Sequence, residues 1–172
     1  MELGKNILHL VQLATTALGE AGLTVANETD SSHSISNSIV DETTKTGRIV
    51  GYGNNSETID LTMYALRGDK GQEATLDAIR NKVQLKIWKV DTVPGTDTKY
   101  DADFGYGVVE SYEESAGAEG FREISVTVQI IGEMKKGKLD DIPQALKDFA
   151  AYGFEKPGQK SGEYGTEQTE QP

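Results

Sequence analysis

The chain has 172 residues, 36% of them hydrophobic and 7% aromatic, with a formal net charge of −11; this suits one domain with a modest core and long polar stretches. The absence of cysteine excludes disulfides, thiolate nucleophiles and Cys-based zinc sites. The acidity disfavours direct binding to phosphate backbones or anionic membranes.

The start, Met1 to Lys5, lacks a basic leader, and Ile7 to Leu13 is broken by His9 and Gln12. No apolar run approaches the roughly 20 residues of a membrane span. The expectation is a chain made in a cytoplasm. Ile7 to Leu13 reads as a buried strand. Residues Leu23 to Ser36 alternate weakly, with Leu23, Val25 and Ile35 on one parity. Thr24, Glu28, Asp30, Ser32 and Ser34 take the other, as in a long strand with one wet face. From Asn37 to Asn55 the chain is polar, with Ile39, Val40, Ile49, Val50 and Tyr52 its only apolar residues, and it is read as a long connection. Ser56 to Leu66 alternates cleanly: Ile59, Leu61 and Met63 against Thr58, Asp60, Thr62 and Tyr64.

Gly71 to Lys82 is the best helix, with Ala74, Leu76, Ala78 and Ile79 near helical spacing. Val83 to Val90 reads as a strand, followed by a Pro94-Gly95 turn. Phe104 to Tyr112 is a further strand. Arg122 to Ile131 is the clearest, with Ile124, Val126, Val128 and Ile130 opposite Glu123, Ser125, Thr127 and Gln129. The acidic Glu113 to Gly120 between them suits a hairpin loop. Asp140-Asp-Ile-Pro143 marks a helix start that continues through Leu146, Phe149 and Ala150. After Tyr152 the chain is too polar to fold alone.

Candidate chemistry is thin. Gly51-Tyr-Gly53 lacks the lysine and hydroxyl of a phosphate loop and is read as a turn. Arg67-Gly-Asp69 matches an adhesion tripeptide, but Gly68 better serves a strand-to-helix turn. The sequons at Asn27 and Asn54 matter only in a eukaryotic secretory pathway. Asp101-Ala-Asp103 and Glu113-Glu114 lack the spaced oxygens of a calcium loop, and read as solvated turns. His9 and His33 cannot form a two-histidine motif at helical spacing, and His33 reads as a surface residue. No paired carboxylates fall in an apolar setting. The expectation is no catalytic, cofactor or metal site.

What stands out is an ordered set of segments. It starts with Asp41-Glu-Thr-Thr-Lys-Thr-Gly-Arg-Ile-Val-Gly-Tyr-Gly53 and Leu66-Arg-Gly-Asp-Lys-Gly71. Lys86-Ile-Trp-Lys-Val-Asp-Thr92 and Lys99-Tyr-Asp-Ala-Asp-Phe-Gly-Tyr-Gly107 follow, and Ile130-Ile-Gly-Glu-Met-Lys-Lys-Gly-Lys-Leu-Asp-Asp-Ile142 closes it. Together they resemble the major tail (tail tube) proteins of long, non-contractile-tailed bacteriophages.

The resemblance implies a mainly β fold of two packed antiparallel sheets, sandwich- or barrel-like, with a flanking helix. Residues 1–151 would form that domain, including a long loop at 37–55, and 152–172 a flexible C-terminal arm. Six subunits would close a ring, four strands from each joining a barrel of roughly 24 strands with an aqueous bore. Rings would stack into a virion tube, assembled in the host cytoplasm, that conducts duplex DNA. Its partners would be itself, a tape measure protein, a tail terminator and tail-tip proteins, with DNA passing unbound and no membrane.

The bore would be lined by Glu28, Asp30, Thr58, Asp60, Thr62, Glu123, Ser125, Thr127 and Gln129. Asp41, Glu42, Lys45, Arg48 and Tyr52 would belong to the ring-stacking loop; Tyr152, Phe154 and Pro157 would belong to the arm that clips rings together. Two other readings stand beside this one. A secretion-system tube protein shares the implied fold, and a monomeric β-sandwich could bind ligand or carbohydrate. The last would need an exposed aromatic platform, and the single tryptophan, Trp88, falls within a strand.

Overall fold

The computed structural model describes residues 3–143, Leu146, and the residue pairs Lys160–Ser161 and Gln168–Thr169. In chain order the elements are β1 (Ile7–Leu13), β2 (Leu23–Thr24), β3 (Glu28–Thr44), β4 (Gly47–Tyr64), α1 (Lys70–Asn81), β5 (Leu85–Asp91), β6 (Tyr100–Ser115), β7 (Glu123–Ile130), β8 (Lys135–Leu139), β9 (Lys160–Ser161) and β10 (Gln168–Thr169). Eight strands form one antiparallel sheet in the order β2-β1-β5-β6-β7-β4-β3, with β8 also on β6; β9 and β10 pair separately. The two layers expected from the sequence are two halves of this one sheet.

Strand β6 is the shared seam. Its first half pairs with β5 and β8, and from Gly107 onward it pairs with β7. The halves fold toward each other: β1 and β3 are far apart in sheet order, yet His9 Nδ1 lies 2.8 Å from Glu28 Oε1. Two glycines make room at the seam. A Cβ on Gly107 would lie 2.5 Å from the Val128 side chain, and one on Gly105 would press on Met134 and Ile130.

Alternation explains the core. Ile59, Leu61 and Met63 of β4 and Ile124, Val126, Val128 and Ile130 of β7 meet Val11, Leu85 and Ile87 of the other half, and Ala74 and Ala78 of α1. Removing these side chains from water is the main stabilising term for the body. The helix starts where Asp69 caps it, accepting from Gln72 N at 2.8 Å, and ends at Lys82 in the left-handed region. Gly68, at φ 81°, makes the strand-to-helix turn. A second cluster joins Leu10, Val90, Ala102, Ile142 and Leu146, with Trp88, Tyr100 and Leu139 packed against it.

Several expectations are corrected. Residues 37–55 are not a loop: they are paired β-ribbon, turning at Lys45 and Thr46. The Gly51-Tyr-Gly53 run lies within β4, where a bulge sets Gly53 and Asn54 opposite Ser38. The first wet strand is interrupted at Asn27, whose φ of 54° breaks it into β2 and β3. Asp101 and Asp103 sit in β6, not in a turn. Strand β8 went unanticipated because Lys-Lys-Gly-Lys-Leu has no apolar alternation. The helix expected after Pro143, and the arm with Tyr152, Phe154 and Pro157, fall almost wholly outside the described residues. Leu146 is described and buried.

Candidate assembly surfaces

The half-sheet β6-β7-β4-β3 has one apolar face turned to the core and one polar face turned away. Register places the polar residues in rows across the four strands. One row carries Ser34, Thr58, Gln129 and Val108; the next carries Ser32, Asp60, Thr127 and Ser111; a third carries Asp30, Thr62, Ser125 and Glu113. Tyr64, Glu123 and Ser115 form the last. A bulge in β6 brings Glu110 to the same face, where Gln129 Nε2 donates to it at 2.5 Å.

Cross-strand hydrogen bonds hold these side chains in place. Asp60 accepts from Thr127 Oγ1 at 2.7 Å and from Ser32 Oγ at 3.2 Å, so both its oxygens are oriented. Thr58 Oγ1 donates to Gln129 Oε1 at 2.9 Å. Eight of the nine residues expected to share a wet face therefore do so: Asp30, Thr58, Asp60, Thr62, Glu123, Ser125, Thr127 and Gln129. Asp30, Asp60, Glu110, Glu113 and Glu123 make the face acidic, and its rows hold no lysine or arginine.

Glu28 is the exception. A bulge between Glu28 and Asp30 shifts the register, so Glu28 stands opposite Met63 on the core side. Its side chain is 4% exposed and faces His9.

Among the described residues, both lateral edges of this half-sheet are open. Strand β3 ends the sheet order, and β5 pairs with β6 only as far as Gly107. Beyond Gly107 the side of β6 turned away from β7 has no strand partner among the described residues. Unpaired edges invite another chain.

The ribbon is the third surface. Strand β4 pairs with β7 only from Thr58 onward, so residues 47–57 overhang it by about 36 Å at the roughly 3.3 Å rise per strand residue. Ile39, Val50 and Tyr52 share one ribbon face with Asp41 and Arg48; Val40, Glu42 and Ile49 share the other. All five apolar residues are exposed, Tyr52 at 90%. Arg48 grips Asp41 through Nε at 2.8 Å and Nη2 at 2.5 Å. That bond holds the Asp41 carboxyl below its ordinary range and raises the Arg48 guanidinium. Lys45 sits exposed at the turn.

A polar seam ties the two half-sheets together, and sequence reasoning missed it. His33 is no free surface residue: Nε2 lies 2.5 Å from Glu57 Oε1, and Nδ1 lies 3.0 Å from Lys89 Nζ. Glu57 Oε2 accepts from Met134 N at 2.7 Å, and Lys89 Nζ lies 2.8 Å from Asp103. The available signal was parity, since Glu57 stands in register with Ile59, Leu61 and Met63. Trp88 is half-buried with its ring centroid 5.0 Å from that of Phe104. Among the described residues, no helix is long and apolar enough to cross a membrane.

The family model described as phage tail tube protein matches residues 1–136. The chain is 43% identical over 163 residues to the tail tube protein of Bacillus phage SPP1, covering 94% of this chain and 62% of that protein. It is 32% identical over 114 residues to a putative tail protein of Staphylococcus phage phiMR11, covering 65% of this chain and 59% of that one. It thus spans somewhat under two thirds of either curated relative. The solved SPP1 tail tube superposes with a TM-score of 0.72 at 36% identity, covering 94% of this chain and 95% of that one. A gene transfer agent tail with C6 symmetry shares the fold alone, at TM-score 0.61 and 16% identity over 78% of this chain and 98% of that one. The chain belongs to the phage tail tube protein family.

Proposed function

We propose that the protein polymerises as stacked six-membered rings into the tail tube of a siphophage virion and conducts DNA into the host. The observation that carries this is the half-sheet β6-β7-β4-β3, with two open edges and one acidic polar face. Joining the β3 edge of one copy to the β6 edge of the next repeats four strands around a ring. Six copies give a closed barrel of roughly 24 strands, wide enough for an aqueous bore. Its wall would present Asp30, Asp60, Glu110, Glu113 and Glu123. Carboxylates repel phosphates over roughly one Debye length, about 8 Å at physiological salt, and so keep the duplex from adhering.

Ring closure uses up the lateral edges while the axial contact stays open, which yields a filament. The ribbon, with Asp41, Glu42, Lys45, Arg48 and Tyr52, is assigned to stacking, and the arm with Tyr152, Phe154 and Pro157 to clipping one ring to another. Its partners on this reading are a tape measure protein and the terminator and tail-tip proteins that bound the tube, and assembly takes place in the host cytoplasm. The work is structural rather than enzymatic. A ligand-binding module would need an exposed aromatic platform; Trp88 is half-buried, with its ring against Phe104.

Negative-stain electron microscopy of the purified protein, before and after concentration, tests the proposal. Hollow tubes or six-membered rings are expected. Compact monomers alone, even when seeded with tail fragments, would overturn it.

A further inference from the structure

The two axial ends of the half-sheet differ in a complementary way. Strand β4 runs from the ribbon turn at Gly47 to Tyr64, about 56 Å away at roughly 3.3 Å per residue. At the Tyr64 end, β7 begins at Glu123 and the β6–β7 hairpin turns. There Phe121 is 80% exposed and packs on Tyr64 with ring centroids 5.4 Å apart. Ala65 N donates to Arg122 O at 2.8 Å, so the hairpin is anchored to the end of β4. By register Glu113 and Glu123 share the Tyr64 face at this end, Glu119 lies in the β6–β7 connection, and Glu114, on the opposite face, pairs with Arg122 at 3.2 Å. At the far end, the ribbon offers exposed Val50 and Tyr52 on one face, with Lys45 at its turn.

Both patches are apolar surface that the fold leaves exposed, and among the described residues neither is covered by a second sheet or helix. The ribbon turn carries Lys45, and the other end carries the carboxylates of Glu113, Glu119 and Glu123. When copies stack head to tail, what leaves one end meets the other end of the next copy.

We propose that the ribbon of one copy docks on the Tyr64–Phe121 end of a copy in the next ring, with Val50 and Tyr52 on the aromatic pair and Lys45 toward the acidic β6–β7 hairpin. This rests on the stacking reading above. The contact buries apolar surface at its centre and sets opposite charges at its rim, where they favour register and approach rate more than affinity.

The absence of native cysteine permits a clean test. Chains carrying only Tyr52→Cys and chains carrying only Phe121→Cys are co-assembled and oxidised. Disulfide-linked dimers are expected in the mixture, at least tenfold above either variant alone or above Tyr52→Cys mixed with Lys136→Cys. In parallel, carbodiimide treatment of the unsubstituted tubes should link Lys45 to Glu119 or Glu123, read by peptide mass spectrometry. That arm keeps the test decisive if a cysteine variant fails to assemble. Tubes that form but give neither link would overturn the docking and leave the tube reading intact. Unsubstituted protein that forms neither rings nor tubes would overturn the tube reading itself.

Discussion

The half-sheet β6-β7-β4-β3 and the ribbon share strands β3 and β4, yet different rules govern them. Between Glu57 and Tyr64, β4 alternates buried and wet residues without a break, and its hydrophobic side is inaccessible. Between Gly47 and Ser56 the same strand has the same hydrogen-bonded partner, but almost every residue is exposed. In the body, side chains account for the strand; in the ribbon, only backbone pairing and the turn do. Isolated two-stranded ribbons are marginal in water, so exposed Ile39, Val40, Ile49, Val50 and Tyr52 do little for the fold of the protomer. Their cost in solubility makes sense if another copy covers them.

That contrast can be broken most forcefully by truncation in each region. Leu61→Ala in the body should cost about 2–5 kcal/mol in denaturant unfolding, because Leu61 is 1% exposed within the core. Val50→Ala in the ribbon should stay within about 0.5 kcal/mol. Equal losses would mean that the ribbon is part of the folding core.

Adding a methyl group probes the same difference from the other side. A Cβ on Gly71 would lie 2.1 Å from Thr24 O, so Gly71→Ala should destabilise by about 1–3 kcal/mol. A Cβ on Gly51 meets nothing within 4 Å. Gly51→Ala should leave the unfolding midpoint unchanged or raise it slightly.

Polar pairs sharpen the contrast further. Glu57→Ala strands the Met134 amide and His33 on the core side, and should cost about 1–3 kcal/mol by the same unfolding assay. The smallest effect belongs to the exposed Asp41–Arg48 pair. Its lowered Asp41 pKa means that any contribution is present above the ordinary carboxylate range and disappears as pH falls through that lowered value. Carboxyl NMR should find Asp41 titrating below an ordinary aspartate, and Arg48→Ala should return it to the usual range with no change in the global unfolding midpoint.

Much of the body was legible because burial writes itself into period two. Ile124 to Ile130 and Ile59 to Met63 announced both their strands and the face they bury, and with it most of the polar wall. The ribbon was misread as a loop for the converse reason: with neither face buried, residues 37–55 carry no alternation. Strand β8 was silent for the same cause. Glu28 was placed on the wrong face because a bulge is a backbone event that leaves no trace in parity. The seam of His33, Glu57, Lys89 and Asp103 depends on the sheet folding back on itself, which no local pattern reports. The open edges are likewise a property of topology, visible only once β6 is seen to change partners at Gly107.

Amide hydrogen exchange, compared between the soluble protomer and the assembled tube, tests the central claim most directly. The amides of 59–63 should be protected in both states. Those of 39–52 should exchange fast in the protomer and gain at least tenfold protection in the tube. A ribbon already protected in the protomer, or still unprotected in the tube, would contradict the assignment of this segment to assembly.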